Sequence, residues 1–463
     1  MTDYDVIVIG SGIGGTGLGV ILASRGLKTL LIEKNDFIGG RCSTYEKEGF
    51  QIDVGIHSFG RTSKGPLGRI LSMIGMRDSV DWVLAQRPGP KWYHKGEFWS
   101  FPRELGNFIP ASDYSSLMKL FRDVLRIKDT QELDKISVKS WLSKYTDNPL
   151  IHSFLSIFSS IYLVVPYYLA SAGEFIRCLS SLSKDLSLGY PKGGCIAIPK
   201  AYVQGITNYG GTVRTKLSAK KIIVKDEKVT GVELSDGNFV SSKLVVSNAG
   251  IRETVKNLVG SEFFDKQYLE KIDSLKYSMS AITFKLALKK PITNLKIVSL
   301  FNLEDHEQKF RSILQGNVPE DVDLFIPIPS NYDPTLAPEG KQLIMAGTAV
   351  SPENFEKNKE KWVKNSMKSL EMVFPDLSEN LLWVDITTPK DIEIMAGKEG
   401  TVVGISQSVD QVGVNRPSSV LPIEGLYLVG GDAGGWGIGT ELAAQSAIDC
   451  AKIILDKEKK NAN

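Results

Sequence analysis

Gly10, Gly12 and Gly15 stand in the order G-x-G-x-x-G, and Glu33 follows about twenty residues past the turn. This is the chemistry of dinucleotide binding. The first glycine permits a tight bend, the second lets backbone amides approach a pyrophosphate, and the third lets the next helix pack closely on the preceding strand. Ser11, Ile13 and Gly14 complete the turn, so free N–H groups at a helix N-terminus face the phosphates. Glu33 is placed to accept hydrogen bonds from an adenosine ribose with a free 2′-OH, and Lys34 stands beside it. The turn by itself serves NAD and FAD equally. By residue pattern alone the sequence marks no clear acid or base.

The elements that must hold these groups are legible around them. Val6 to Ile9 are apolar and mostly β-branched, as a strand buried on both faces of a parallel sheet requires, and Thr29 to Ile32 repeat the pattern after an intervening helix. Near the other end, Leu426 to Val429 read as a strand, GGDAGGWGIGT as a glycine-rich turn and the following residues as a closing helix. The expected fold class is therefore α/β.

The continuation GGRCSTYEKEGFQIDVGIHSFG, Gly39 to Gly60, resembles the FAD-dependent oxidoreductases that include phytoene desaturases, carotenoid isomerases and retinol saturases, within the flavin amine oxidase superfamily. The resemblance implies a glutathione-reductase-type, Rossmann-like FAD-binding domain with a discontinuous α+β substrate domain inserted in it. It implies that Gly40 and Arg41 carry the diphosphate and ribityl, and that Gly55, Ile56 and His57 lie near the isoalloxazine. In YPKGG and the residues to Gly250, also similar to phytoene desaturases, it places Ala219 against the adenine and Ser247, Asn248 and Ala249 beside the pyrophosphate turn. At the C-terminal side, Gly431 and Asp432 match the family's "GD", whose carboxylate and neighbouring amides hold the pyrophosphate and ribityl chain. Gly437, Ile438, Gly439 and Thr440 then offer N–H groups to the flavin's electron-rich edge; His57, whose motif would pass near the ring, is the leading acid–base candidate, and Glu441, one residue past this turn, is a second. The family's usual His-Pro-Gly run is absent here; Ala433 to Gly437, with Trp436, stand in its place.

Residues 1–80, 190–260 and 404–463 are expected to form the FAD-binding domain, and 81–189 and 261–403 the substrate domain, with a helical, membrane-associating part around 113–175. KWYHKGEFWSF, Lys91 to Phe101, reads as a hairpin turning at Lys95-Gly96. Ser112 or Asp113 is expected to cap a helix with Leu117, Leu120, Phe121, Val124 and Leu125 on one face and Lys119, Arg122, Arg126 and Lys128 on the other. Between Asn148 and Glu174 the chain carries no Asp, Glu, Lys or Arg. That stretch reads as helices walling an apolar cavity or dipping into a membrane, rather than as a span, because His152, several serines and Pro166 interrupt it. From Tyr277 to Leu288 the side chains alternate as in a strand with one buried face. The terminal KEKKNAN reads as a disordered polar tail.

The charges nearly cancel, 55 Lys+Arg against 53 Asp+Glu, which argues against a nucleic-acid partner. Cys42, Cys178, Cys195 and Cys450 show no CxxC and no metal-ligand spacing, so no metal site is expected. The first strand opens at Asp5, and the expected location is cytoplasmic with peripheral membrane contact. No second G-x-G-x-x-G appears, so the electron donor or acceptor lies outside the chain's own motifs. The leading expectation is hydride transfer between FAD and a carbon–carbon bond of a hydrophobic, isoprenoid or polyene molecule. Two alternatives stand beside it. One is a flavin amine oxidase. The other is a non-enzymatic prenyl-binding protein of the Rab GDP dissociation inhibitor type, which lacks the third glycine present here as Gly15.

Overall fold

A computed structural model describes residues 2–86, 88–100, 104–185 and 187–462. Its first sheet has five parallel strands in the order Leu426–Leu428, Leu244–Ser247, Val6–Ile9, Thr29–Ile32, Thr212–Arg214. Each of the three inner strands is buried along its length, which is why their sequences carry no polar alternation. One face packs against the helices Ile13–Ala23, Ala197–Asn208 and Gly439–Ala462 through Leu18, Tyr202 and Ala447. The other is covered by a three-stranded antiparallel meander, Ala219–Lys225, Lys228–Leu234 and Phe239–Ser241, whose second turn places Gly237 at positive φ.

The second sheet is mixed and seven-stranded, in the order Leu381–Thr387, Ser280–Leu288, Gln342–Val350, Leu324–Pro327, Ile297–Leu300, Lys91–His94, Glu97–Ser100. The last two strands are the expected hairpin, with Lys95 and Gly96 both at positive φ; Phe101 lies outside the described residues. Ile282, Phe284 and Leu286 face the helix Pro352–Val373. The opposite face of Ser280–Leu288, expected to be open, is buried too, because Phe50 and Ile52 of the hairpin Thr44–Asp53 pack on Ala287, Leu343 and Met345. Lys285 is enclosed by this cover.

Two further expectations change. The helix Ala111–Val124 begins after Pro110 with no capping side chain, since Asp113 instead accepts from Asn148 Nδ2 at 2.7 Å. Asn148 in turn caps the helix Pro149–Leu163 by accepting from the Leu150 and Ile151 N–H groups. The terminal KEKKNA segment is the last turn and a half of the helix Gly439–Ala462, for which Lys, Glu and Ala are good formers. No described helix is long and apolar enough to cross a membrane.

Candidate functional site

A single cavity of about 1590 Å³ runs from the glycine turn, past the Gly39–Gly60 loop, to the face of the second sheet. Drug-sized ligands fill cavities of roughly 300–1,000 Å³, so this one has room for two molecules end to end. At its first end, the turn is as tight as its sequence demands. A Cβ on Gly15 would sit 2.0 Å from the Gly10 carbonyl oxygen, and one on Gly14 would sit 2.7 Å from both Gly430 N and Asn248 Oδ1. Gly15 therefore packs the helix and does not line the cavity, whereas Gly10, Ser11, Gly12, Ile13 and Gly14 do. Glu33 is buried; its Oε2 accepts from Ser11 N at 2.8 Å and Ser11 Oγ at 2.7 Å, and its Oε1 from Asn35 N at 2.9 Å. Lone pairs remain on Oε1 for a sugar hydroxyl. Lys34, Gly40, Ala219, Asn248, Ala249 and Gly431 line the same stretch.

The cations beside the turn are arranged for an anion. Arg41 Nη1 donates to the Thr401 and Val402 carbonyls at 2.8 and 2.6 Å, and its Nε and Nη2 have no partner among the described residues. Lys398, not singled out by any motif, lines the cavity in a left-handed conformation, φ 62°, with Nζ 3.2 Å from Asp432. Asp432 departs from expectation: it is fully buried and does not reach the cavity. Its carboxylate accepts from the Ile251 and Ile405 amides at 3.1 and 3.2 Å. Burial would raise its pKa, but Lys398 and these amides hold it below the ordinary carboxylate value. It braces the cradle rather than touching its contents. These features fit FAD: converging backbones, a half-used ribose acid and partly free cations.

At the middle of the cavity Gly55, Ile56 and His57 line the wall. His57 Nδ1 faces Asp53 Oδ2 at 3.8 Å, and its ring stacks on Phe59 at 5.7 Å between centroids. Asp53 is fixed by Thr44 Oγ1 at 2.7 Å, Cys195 N at 3.0 Å and the Tyr190 hydroxyl. Burial alone would lower the His57 pKa, but Asp53 outweighs it and the imidazole titrates above its ordinary value. Cys42 and Cys195 also close on His57, all three ligating atoms within 4.8 Å of one another. Residues so far apart in sequence carry no spacing signal. Both thiols are engaged with carbonyls, Cys42 with Cys195 and Cys195 with Ser43, each at 3.4 Å, and burial pushes the Cys195 thiol well up. Cys195 is thus held as a thiol rather than as a thiolate ligand.

Glu441 lines the cavity 3.5 Å from Arg61 Nη1, its pKa raised by burial against the opposing pull of Arg61. Gly439 and Thr440, also in the lining, open the closing helix, so its N-terminal dipole faces the same space. The Gly437 N–H does not: it donates to the buried Glu174 at 2.7 Å. Glu174 also pairs with Arg177, whose guanidinium stacks 3.7 Å over Trp436.

The far end is a chamber. Its floor is one cross-strand row of the second sheet, Thr387, Thr283, Gly347, Phe325, Ser299 and Trp92, in register across six strands. Five steps of about 4.8 Å make this row about 24 Å long. The helix Pro149–Leu163 supplies the roof: Phe154, Ile157, Phe158, Ile161 and Tyr162, spaced at one helical face, all line the cavity. That is the uncharged stretch of the sequence. Two residues along from Thr283, Lys285 is fully buried with Nζ donating to Thr283 Oγ1 at 3.0 Å and to Thr387 Oγ1. Burial lowers its pKa to about 8, with Asp385 opposing. Motif reading passed over it because a lysine in an alternating strand reads as solvent-facing.

Residues 19–455 match the model of a family described as flavin containing amine oxidoreductase. The chain is 29% identical to a chloroplastic prolycopene isomerase 2 of an Oncidium hybrid cultivar, with 99% of this chain and 85% of that protein covered. It is 24% identical to an all-trans-retinol 13,14-reductase of Danio rerio, covering 98% and 86%. The fold is that of an oxidoreductase from Methanosarcina mazei, with a TM-score of 0.79, 22% identity and coverage of 96% and 99%.

Proposed function

Since the chain belongs to the flavin-containing amine oxidoreductase family, we propose that it is an FAD-dependent enzyme exchanging hydride with a carbon–carbon bond of an extended polyene. The observation that carries this is the chamber: a long row of small and aromatic side chains under an apolar helical roof accepts a thin, rigid, uncharged chain laid across the strands. A small polar amine would leave that surface unfilled. The relatives' names, a prolycopene isomerase and a retinol 13,14-reductase, point to the same class of molecule.

FAD, when bound, supplies hydride exchange at its N5. Within the proposal, Glu33 takes the ribose and Arg41 and Lys398 the diphosphate, with Ala219 against the adenine. Gly439, Thr440 and their helix N-terminus would favour negative charge on the bound flavin. His57, kept protonated by Asp53, holds a proton at Nε2 for the substrate carbon, and Glu441 sets the field beside it. The aromatic roof excludes water from the reacting bond. The same proposal places the protein in a reducing, cytoplasmic setting, consistent with its four free cysteines. Contact with an anionic membrane runs through Lys119, Arg122, Arg126 and Lys128, all exposed at the helix Ala111–Val124 and just beyond it.

The test is anaerobic mixing of FAD-loaded protein with lycopene isomers, retinoids and putrescine in parallel, following flavin absorbance and product mass. Reduction or product formation with a polyene and none with the amine supports the proposal; the reverse pattern overturns it.

A further inference from the structure

One charged group in the chamber wall has no task in the scheme above. Lys309, on the helix His306–Leu314, lines the cavity beside Phe310 and Phe301 with its side chain only 14% exposed. Its Nζ donates to Asp323 Oδ1 at 2.6 Å. Asp323 also accepts from Asn302 N at 3.2 Å, and its Oδ2 lies 3.4 Å from Nε2 of the fully buried His306. His306 Nδ1 is in turn 2.8 Å from Ser156 Oγ on the roof helix. The ammonium is thus held by a chain of polar side chains that reaches from wall to roof. Burial would raise the Asp323 pKa, but Lys309 and His306 keep it low, so the carboxylate stays an anion.

Burying an ammonium in an apolar wall is unfavourable unless its donors are used. Two of the three donors on Lys309 have no partner among the described residues. The pair has a defined place. Asp323 precedes the strand Leu324–Pro327, two strands across and two residues along from Thr283, a separation of about 12 Å from strand spacing and rise.

We propose that Lys309, held by Asp323 and His306, is a subsite for a hydrogen-bond-accepting oxygen, a hydroxyl, carbonyl or carboxylate, at one end of an otherwise apolar substrate. Resting on the polyene reading, it narrows the substrate to a terminally oxygenated polyene. It also gives the subsite a purpose: anchoring one end sets the register of the chain along the floor row, and so selects which bond reaches the flavin end.

The test uses FAD-loaded protein titrated with all-trans-retinal, all-trans-retinoic acid and the matching hydrocarbon that lacks the oxygen, read by tryptophan fluorescence quenching. Wild-type protein is expected to bind an oxygenated chain at least tenfold more tightly than the hydrocarbon. Lys309→Met is expected to abolish that preference while leaving hydrocarbon affinity unchanged, and Lys309→Arg to retain it. Equal wild-type affinity for all three, or a preference that survives Lys309→Met, overturns the subsite and leaves the polyene reading standing. If no chain binds, both fall. The wild-type series decides the matter even where a variant does not fold.

Discussion

Two buried ionisable side chains flank the reaction end, and their environments push them in opposite directions. Asp53 holds the His57 imidazole protonated above its ordinary range despite burial. His57→Gln should keep the flavin and slow its reaction with substrate by about a hundredfold, removing one limb of the rate–pH profile. Stopped-flow traces taken on both sides of the ordinary imidazole range check this. Lys285 is the opposite case, its pKa lowered from 10.5 to about 8 by burial. A cation that binds its proton more weakly when folded subtracts stability below its folded pKa. The loss fades as pH rises from about 8 to 10.5. Lys285→Met should therefore be more stable than wild type at pH 7, by about 1–3 kcal/mol after the lost threonine bonds are counted, with the gap closing toward pH 10.5. Urea midpoints at several pH values measure it. The His57 motif was legible in the sequence. Lys285 was not, because only the hairpin packed on its strand turns an alternating face into an interior one.

At the scale of elements, the glycine turn and the floor row respond differently to the same kind of change. Gly15→Ala drives a methyl to 2.0 Å from the Gly10 carbonyl, which cannot move without separating helix from strand. It should cost about 3 kcal/mol and empty the protein of flavin, seen as loss of the visible absorbance on purification. Gly347→Leu meets the flexible tip of Ile56 at 2.5 Å and fills the middle of the floor. It should retain flavin and weaken polyene binding about tenfold, measured by the same titration used for Lys309. The turn was read from sequence because its spacing is local. The floor row was not, because its six residues come from strands scattered between Lys91 and Thr387 and are aligned only by pairing register.

At the scale of the molecule, the proposal ties an apolar chamber to a cationic helix on the surface. A polyene substrate would be insoluble in water, and the proposal draws it from a membrane. FAD-loaded protein should therefore float with anionic vesicles and not with neutral ones, and charge reversal at Lys119 and Arg122 together should abolish flotation without altering flavin content. Flotation equal on both vesicle types would remove that part of the proposal.

Sequence alone determined the dinucleotide end, since a turn, a helix start and a ribose acid lie within one short stretch and each residue type has a single physical reason to be there. It also marked the uncharged segment that became the roof, because an apolar helical face shows in a local period. Tertiary structure decided what those parts enclose. It turned Asp432 inward as a brace for Lys398, gathered Cys42, His57 and Cys195, buried Lys285, and set Lys309 against Asp323 in the chamber wall. Each of these depends on contacts between segments far apart in the chain. Such contacts are fixed by strand register and packing, which no local pattern encodes.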